Sequence, residues 1–192
     1  YCLSDNNFFI SSGSKSLLAF LNSTISFFFL KNNCTTLQGG YWDFRRPFVE
    51  KIPIHLNLSS VENQLEELGS KQLTDNNKEM LLQKSFVRYF QTQYKLENIS
   101  SKLQNWHELK FEDFIKEVNK ATKKSNGNEL DEKAKFGLMQ LFEEQKIKVE
   151  KLKTEIDKTD KEINQMVYEL YSLTKEEIEI VEKAKSSAHP LH

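Results

Sequence analysis

Apolar residues recur at helical spacing through most of the chain after residue 58. This spacing predicts a helix over residues 59–71, a polar break at 74–77, and a second helix over 79–94. A third helix over 106–123 has four apolar residues at positions i, i+3, i+4 and i+7, which are Phe111, Phe114, Ile115 and Val118. The pattern therefore predicts that this part of the chain is helical nearly throughout.

The longest predicted helix covers residues 130–171. Apolar residues recur there at every seventh position, at Phe142, Val149, Ile156, Ile163 and Leu170. The intermediate positions hold Gln145, Leu152, Thr159 and Met166, which is typical of a heptad seam with two polar lapses. We interpret the seam as packing against the chain's own helices, with pairing to another subunit as the alternative. Thr174 and Glu177 then form a capping box that predicts a short last helix.

The hydrophobic pattern of residues 1–57 predicts a mixture of strands and helix. A strand is expected over residues 1–10, and a helix over the strongly apolar run 17–30, whose apolar residues on nearly every face predict burial. A membrane span would need about 20 apolar residues, so this shorter run predicts a buried core helix instead. Two to four short strands, one of them over 41–44, are expected to be confined to residues 1–56.

These patterns together predict an α+β fold that is predominantly helical. We expect a small, partial α/β domain over residues 1–57, a helical region over 58–128, and a long helix with a short C-terminal helix over 129–192. The first residue is Tyr1 rather than Met and opens directly on a strand-like run. We therefore expect the chain to be a piece of a longer polypeptide.

Charge and cysteine content limit which partners and which cellular compartment we expect. The chain has 27 Lys and Arg against 28 Asp and Glu, for a formal net charge of -1. Any contact with nucleic acid must therefore come from a local patch. Cys2 and Cys34 are isolated in the sequence, which favours a reduced, cytoplasmic compartment, although a single disulfide stays open. No signal peptide is visible at the start.

Catalytic motifs are absent from the sequence. It contains no Gly-rich phosphate loop and no Gly-X-Ser-X-Gly elbow. The four histidines, at positions 55, 107, 189 and 192, lack metal-ligand spacing with the cysteines. Residues 144–146 read Glu-Gln-Lys, which superficially resembles the end of a nuclease site, but a solvated helix face explains them better. We therefore predict no catalytic centre, metal site or cofactor site in this chain.

Side chains that can read DNA are concentrated in two short segments. Amides and lysine can bond to base edges in the major groove, and arginine can hold phosphates or guanine. The candidate DNA-binding residues are Lys31, Asn32, Asn33, Thr35, Thr36, Gln38, Arg45 and Arg46. The alternative is an ordinary surface loop followed by two ordinary arginines.

Four motifs occur in a characteristic order in the first part of the chain. The residues 1–10 run from Tyr-Cys-Leu to Phe-Phe-Ile. They are followed by Leu-Leu-Ala-Phe-Leu-Asn-Ser at 17–23, Gly-Gly-Tyr-Trp-Asp-Phe at 39–44 and Val-Glu-Lys-Ile-Pro-Ile at 49–54. This order resembles the closing half of the TaqI-like C-terminal specificity domain, and it is similar to target-recognition domains of type I specificity subunits. Residues 102–114 and 166–178 also resemble the C-terminal region of such enzymes.

The resemblance implies a bacterial type II restriction–modification enzyme or adenine-specific DNA methyltransferase. This chain would then help to recognise double-stranded DNA and would position an upstream methyltransferase domain, joined in many relatives by a nuclease. S-adenosylmethionine and Mg²⁺ are expected only in the upstream parts, since the Asn-Pro-Pro-Tyr motif and the cofactor loop are absent here. A helical protein-interaction module without DNA contact is the alternative function.

Overall fold

A computed structural model describes residues 13–35, 42, 44–55, 60–125 and 127–186. Within these ranges the chain is predominantly helical, as expected, and Trp42 forms only an isolated bridge, with no β-strand. The described α-helices are α1 (Lys15–Leu21), α2 (Thr24–Asn33), α3 (Arg46–Val49), α4 (Glu62–Gln93), α5 (Ser101–Gln104), α6 (Phe111–Lys124), α7 (Glu132–Leu170) and α8 (Lys175–Ser186). The strand predicted over residues 1–10 lies outside the described residues, as do most of 36–43.

The prediction of a single helix over residues 17–30 is wrong, because the helix is interrupted at Asn22 and Ser23, between α1 and α2. Asn22 ends α1, and the Ser23 side chain caps α2 by accepting a hydrogen bond from the Ser26 main-chain N–H. Serine is a preferred N-cap because it satisfies such an orphan N–H. Ala19 and Phe20 are fully buried. Helical spacing predicts one buried stripe of Leu17, Leu21, Ile25 and Phe28, but these residues are only half-buried.

The polar break predicted at residues 74–77 is also wrong, because α4 continues through it. Polar residues are compatible with a helix whose other faces are packed, since propensity is a weak prior that tertiary contacts override. Asp75 is buried there and its carboxylate accepts a hydrogen bond from Lys78 at 3.3 Å. The helix predicted over 106–123 begins later than expected, at Phe111. Residues Trp106–Glu108 instead form a 3₁₀ turn, and Leu109 and Lys110 lie between the two elements.

The heptad seam predicted for the long helix lies within α7, and its packing inside the chain is confirmed. Phe142, Val149 and Ile163 are buried, and the polar lapse Thr159 is fully buried as well. Lys71 accounts for this lapse, because its ammonium donates to the Thr159 hydroxyl at 2.6 Å. The seam therefore packs within the chain, as the first interpretation predicted.

The chain divides into two compact units. Unit 1 comprises Tyr1–Gln72 and Lys158–His192, and its core includes Phe20, Leu65, Ile163 and Val167. Among the described residues, the seven that are buried in this core come from both stretches of sequence. Its hydrophobic cluster is thus assembled from segments far apart in the chain.

Unit 2 is the continuous segment Leu73–Asp157. Its core is aromatic, with the rings of Phe86 and Trp106 4.2 Å apart and those of Phe114 and Phe142 4.9 Å apart between centroids. Such tilted ring pairs add to the stabilisation that burial itself provides.

Both long α-helices end in a Schellman motif, a paired hydrogen-bond pattern that closes a helix C-terminus. After α4, the Leu96 N–H donates to the Gln91 carbonyl, and Lys95 takes a positive φ of 50°. After α7, the Leu173 N–H donates to the Tyr168 carbonyl, and Ser172 has a φ of 52°. The left-handed position is usually glycine, so both ends are held despite an unfavourable residue type.

The capping box predicted for the last helix is confirmed. The Thr174 hydroxyl accepts from the Glu177 N–H at 3.3 Å, and the Glu177 carboxylate accepts from the Thr174 N–H at 2.8 Å. This reciprocal pair satisfies two N–H groups that would otherwise lack partners. Ser59 and Glu62 have the same spacing, which predicts a capping box there as well, but Ser59 lies outside the described residues.

Candidate nucleic-acid interface

Helix α1 is fixed to α4 at its first turn. The Ser14 hydroxyl accepts a hydrogen bond from the Leu17 N–H, and the Glu66 carboxylate accepts one from the Ser16 N–H at 2.7 Å. A carboxylate at a helix N-terminus also benefits from the helix dipole. Gly69 lies against the main chain of Lys15, where there is no room for a side chain.

Helix α2 is fixed to α7 and α8. The Asn164 side-chain oxygen accepts a hydrogen bond from the Thr24 N–H at 2.8 Å in a buried position. At the other end of α2, the Lys31 ammonium donates to the main-chain oxygen of Ala184 at 2.7 Å. These contacts hold α2 at both ends, so its last turn is presented from a fixed position.

Three of the predicted DNA-binding residues lie in that last turn. The prediction of a loop beginning at Lys31 is wrong for Lys31, Asn32 and Asn33, because α2 extends to Asn33. Asn32 and Asn33 are exposed, and their amide nitrogens each donate at 2.8 Å to a main-chain oxygen four residues earlier. Thr35 is exposed just beyond the helix. Thr36 and Gln38 lie outside the described residues.

The two predicted arginines begin the short helix α3. Arg45 is its exposed N-cap residue. The Arg46 side chain is 72% exposed and pairs with Glu50 at 2.5 Å. An exposed ion pair of this kind contributes only about 0–1 kcal/mol. A phosphate could therefore replace the Glu50 carboxylate as the partner of Arg46 at little cost.

The structure brings the two predicted segments onto neighbouring helices, because α2 packs against both α3 and α8. In the described sequence from α2 to Lys51, the basic residues are Lys31, Arg45, Arg46 and Lys51, and the acidic residue is Glu50. This local excess of positive charge lies in a chain that is close to neutral overall. It is the kind of local patch that a DNA contact requires in a neutral protein.

The segment that follows α3 is held by Tyr171. Its hydroxyl donates to the main-chain oxygen of Pro53, and its ring lies 6.2 Å from that of Phe20 and 5.3 Å from that of His55. Burial raises the pKa of Tyr171, so its hydroxyl keeps its proton and remains a donor. Ile52 is buried beside this contact in the core of unit 1. The exit of α3 is therefore fixed.

Tyr168 makes a comparable contact to α8. Its hydroxyl donates to the Glu182 carboxylate at 2.5 Å. Burial raises the pKa of Tyr168, and the hydrogen bond to Glu182 raises it further. This bond and the contact between Lys31 and Ala184 attach α8 to the scaffold that carries the candidate residues.

Two partners of the candidate residues were missed by the sequence analysis. Glu50 lies four positions after Arg46, and this spacing on a helix is a signal that could have predicted the ion pair. Ala184 accepts from Lys31 through its main chain across 153 positions. No side-chain pattern in the sequence reports such a contact.

Neither metal-binding nor membrane-spanning features were found in the described ranges. They contain no group of three or more His, Cys, Asp or Glu residues placed to hold a metal ion. Among the same residues, no helix combines the length and apolarity needed to cross a membrane.

The chain matches a known family of protein domains. The model of a family described as Domain of unknown function (DUF8810) matches residues 59–167. The matched part contains α4, α5 and α6 and most of α7, whereas the candidate DNA-binding residues precede it. No curated protein and no solved structure matches the chain.

Proposed function

The chain belongs to the DUF8810 family, a domain of unknown function, and from that premise we propose that it is the DNA-recognition part of a bacterial type II restriction–modification enzyme. The exposed end of α2 and the start of α3 would contact double-stranded DNA. The proposal includes the α/β half of a recognition domain that the sequence predicts over residues 1–57. This half-domain would add to the helices that the structure describes. The proposal also includes a cytoplasmic location.

One observation carries this proposal. Residues Asn32, Asn33, Arg45 and Arg46 are exposed on α2 and α3, where Asn164 anchors the start of α2 and Tyr171 holds the segment after α3. Rigid scaffolds that display polar and basic side chains from helix ends or loops are common at binding sites. In this arrangement the two arginines hold phosphates and the two asparagines face base edges.

The chemistry of methylation lies elsewhere in this proposal. S-adenosylmethionine and Mg²⁺ bind in an upstream methyltransferase or nuclease domain, and the present chain selects the DNA sequence on which that domain acts. The chain itself contributes no reacting group. Its role is to lower the free energy of the complex with one target sequence relative to all others.

The test uses the complete open reading frame that encodes this chain. Binding to a 30-base-pair duplex is measured by fluorescence anisotropy over a series of salt concentrations, for the unmodified protein, Arg45→Ala and Arg46→Ala. Each lost phosphate contact lowers the slope of log affinity against log salt by about 1. Lys120→Ala is the matched control, because Lys120 is exposed on α6, outside the candidate site.

Adenine methylation of genomic DNA at one sequence motif, present with the gene and lost on its deletion, would support the assignment to a restriction–modification enzyme. Slopes that do not change in either arginine variant would remove α2 and α3 from the DNA contact. Failure of the complete protein to bind any duplex would overturn the proposal itself.

A helical protein-interaction module is the second candidate, and exposed apolar side chains favour it. Phe136 and Ile147 on α7 are 60% and 63% exposed, and they share one helix face because they are eleven positions, about three turns, apart. Exposed apolar residues on a common face are typical of contact surfaces. Sedimentation analysis distinguishes the candidates: a concentration-dependent mass that becomes monomeric in Phe136→Ser would favour association through α7.

A further inference from the structure

A polar cleft of about 670 Å³ lies in unit 2, remote in sequence from the candidate DNA-binding residues of α2 and α3. One wall is formed by α4, and the other by the segment around Asn98 and the end of α5. The volume falls within the range of binding sites for small molecules or parts of larger ones. The cleft also lies entirely within the part of the chain that matches the family.

Carboxamide side chains dominate the lining of this cleft. Five of its eleven lining residues are amides: Gln83, Gln91, Asn98, Gln104 and Asn105. Each amide offers both donors and an acceptor, and Asn98, Gln104 and Asn105 are exposed to an incoming ligand. A wall of this composition matches nucleobase edges, which present donors and acceptors side by side.

Two cations accompany the amides. Lys84 and Arg88 lie four positions apart on α4, and they therefore stand about 6 Å apart along one helix face. Both are exposed, and within the described ranges neither takes part in a hydrogen bond or ion pair. Their charges are thus available to an anion, and phosphate is the anion that arginine and lysine hold most often on nucleic acids.

The remaining lining residues set limits on the ligand. Met80, Val87 and Ile99 provide a small apolar part, against which a thymine methyl group could pack. Glu97 is the only acid of the lining, so the cleft carries one positive charge in excess. A protein partner anchored by large apolar side chains would find little complementary surface here.

We propose that this cleft is a second DNA-contact site, in which Lys84 and Arg88 hold the phosphate backbone while Asn98, Gln104 and Asn105 contact base edges. The inference rests on the proposed function for the identity of the polyanion. It is independent of α2 and α3 because it uses different residues in the other unit. Glu97 opposes the contact and weakens it.

The first test measures binding of the 192-residue chain to a 20-base-pair duplex of mixed sequence over a salt series. Lys84→Ala and Arg88→Ala should each lower the salt slope by about 1. At 0.1 M salt each should weaken binding about eightfold, because each released counterion contributes a factor of about salt to the power -0.9. Glu97→Gln should strengthen binding, an effect that a purely structural role for these residues would not produce. Lys133→Ala, at an exposed position of α7, is the matched control.

The second test reports on the cleft directly. The indole N–H of Trp106 is fully buried and donates to the main-chain oxygen of Gln83 at 3.3 Å, and Gln83 lines the cleft. The chain has only two tryptophans, so the indole signal of Trp106 can be assigned in a nitrogen–proton NMR spectrum by Trp106→Phe. The duplex should shift this signal in the unmodified chain and in the double variant Arg45→Ala/Arg46→Ala.

The outcomes separate this inference from the proposed function. The inference is supported if the Trp106 shift persists in the double arginine variant and disappears in Lys84→Ala/Arg88→Ala. It is overturned if the cleft variants bind as the unmodified chain does, or if Glu97→Gln leaves the affinity unchanged. If only Arg45→Ala and Arg46→Ala weaken binding, the proposed function stands without the cleft. If no duplex binds to the chain, the inference falls.

Discussion

A Cβ atom added at Gly69 would lie 2.2 Å from the main-chain oxygen of Lys15. Helix α1 therefore approaches α4 closely only because residue 69 has no side chain. Gly69 lies in the interior of α4, where glycine is ordinarily unfavourable by about 0.5–1 kcal/mol relative to alanine. The close approach of the two helices offsets that cost.

We expect Gly69→Ala to destabilise the protein, because the new methyl group contacts a main-chain atom that cannot move without displacing α1. Overpacking of this kind costs about 1–3 kcal/mol. Urea unfolding followed by circular dichroism measures the change. Gly137→Ala is the control, since a Cβ there meets nothing within 4 Å; it should instead raise the free energy of unfolding by about 0.5–1 kcal/mol. Equal effects of the two substitutions would contradict the packing argument.

Asn164→Ala should destabilise unit 1 by about 1–3 kcal/mol, because the buried N–H of Thr24 would lose its acceptor. Gln165→Ala, at the neighbouring exposed position, should change the free energy of unfolding by less than about 0.5 kcal/mol. Denaturant unfolding of both variants gives the comparison. A similar small effect in the two variants would mean that water replaces Asn164 at the start of α2.

Stability should fall as the pH falls below about 6.5, the ordinary pKa of histidine, because of His107. Burial lowers the pKa of His107, and Lys153 and Lys146 lower it further, against the opposing effect of Glu108. The unfolded chain therefore binds the proton first, and the loss of stability ends below the lowered pKa of the folded state. His107→Gln should remove this decline between pH 7 and 5 in urea unfolding, while His55→Gln should retain it. A decline that persists in His107→Gln would assign it to other groups.

Lys95→Gly and Ser172→Gly should each raise the free energy of unfolding by up to about 1 kcal/mol. Both residues have a positive φ in a Schellman motif, and a side chain in that conformation costs about 1–2 kcal/mol, part of which glycine loses again through its greater freedom in the unfolded chain. Lys120→Gly, within α6, should lower the free energy of unfolding by about 1 kcal/mol. Thermal unfolding measured by calorimetry would show shifts of opposite sign, and a shared sign would contradict the argument.

Asn32→Ala and Asn33→Ala should alter the preferred DNA sequence more than the overall affinity. Their amide nitrogens already donate to main-chain oxygens of α2, so a base contact made without rotation would use the amide oxygen as acceptor from an exocyclic amine. Loss of a bidentate base contact costs about 1–3 kcal/mol of discrimination, and the loss of this single bond should be at the low end. Selection of bound duplexes from a random pool by the complete protein measures the preference. Asn77→Ala, exposed on α4, should leave it unchanged.

The sequence predicted the helices whose signals are local or periodic. The heptads located α7 to within two residues at its start and one at its end, and Thr174 with Glu177 located the start of α8. The break at Asn22 and Ser23 was missed because apolar residues continue on both sides of it, and hydrophobicity alone cannot distinguish one buried helix from two. Asn22, Ser23 and Thr24 are nevertheless residue types that favour helix ends and caps.

The candidate site was predictable only in residue type and exposure. Asn32, Asn33, Arg45 and Arg46 are exposed, but their hydrogen-bond partners depend on contacts that the chain makes after folding. The cleft around Arg88 was not foreseen at all. Its walls come from α4 and α5, and periodicity identifies the apolar face of a helix while it says little about which polar faces meet.

The discontinuity of unit 1 has a consequence for the order in which the protein folds during synthesis. Leu65 and Ile163 belong to the same core, and roughly 100 residues must be translated between them, which takes about 5–20 s at ordinary rates of 5–20 residues per second. Unit 2 is a continuous segment and can fold within that interval. It would therefore fold before unit 1, although the N-terminal part of a chain usually folds first. During this wait the apolar residues of α1 and α2 lack their partners from α7. Transiently exposed apolar surface of this kind favours aggregation, which chaperones counteract.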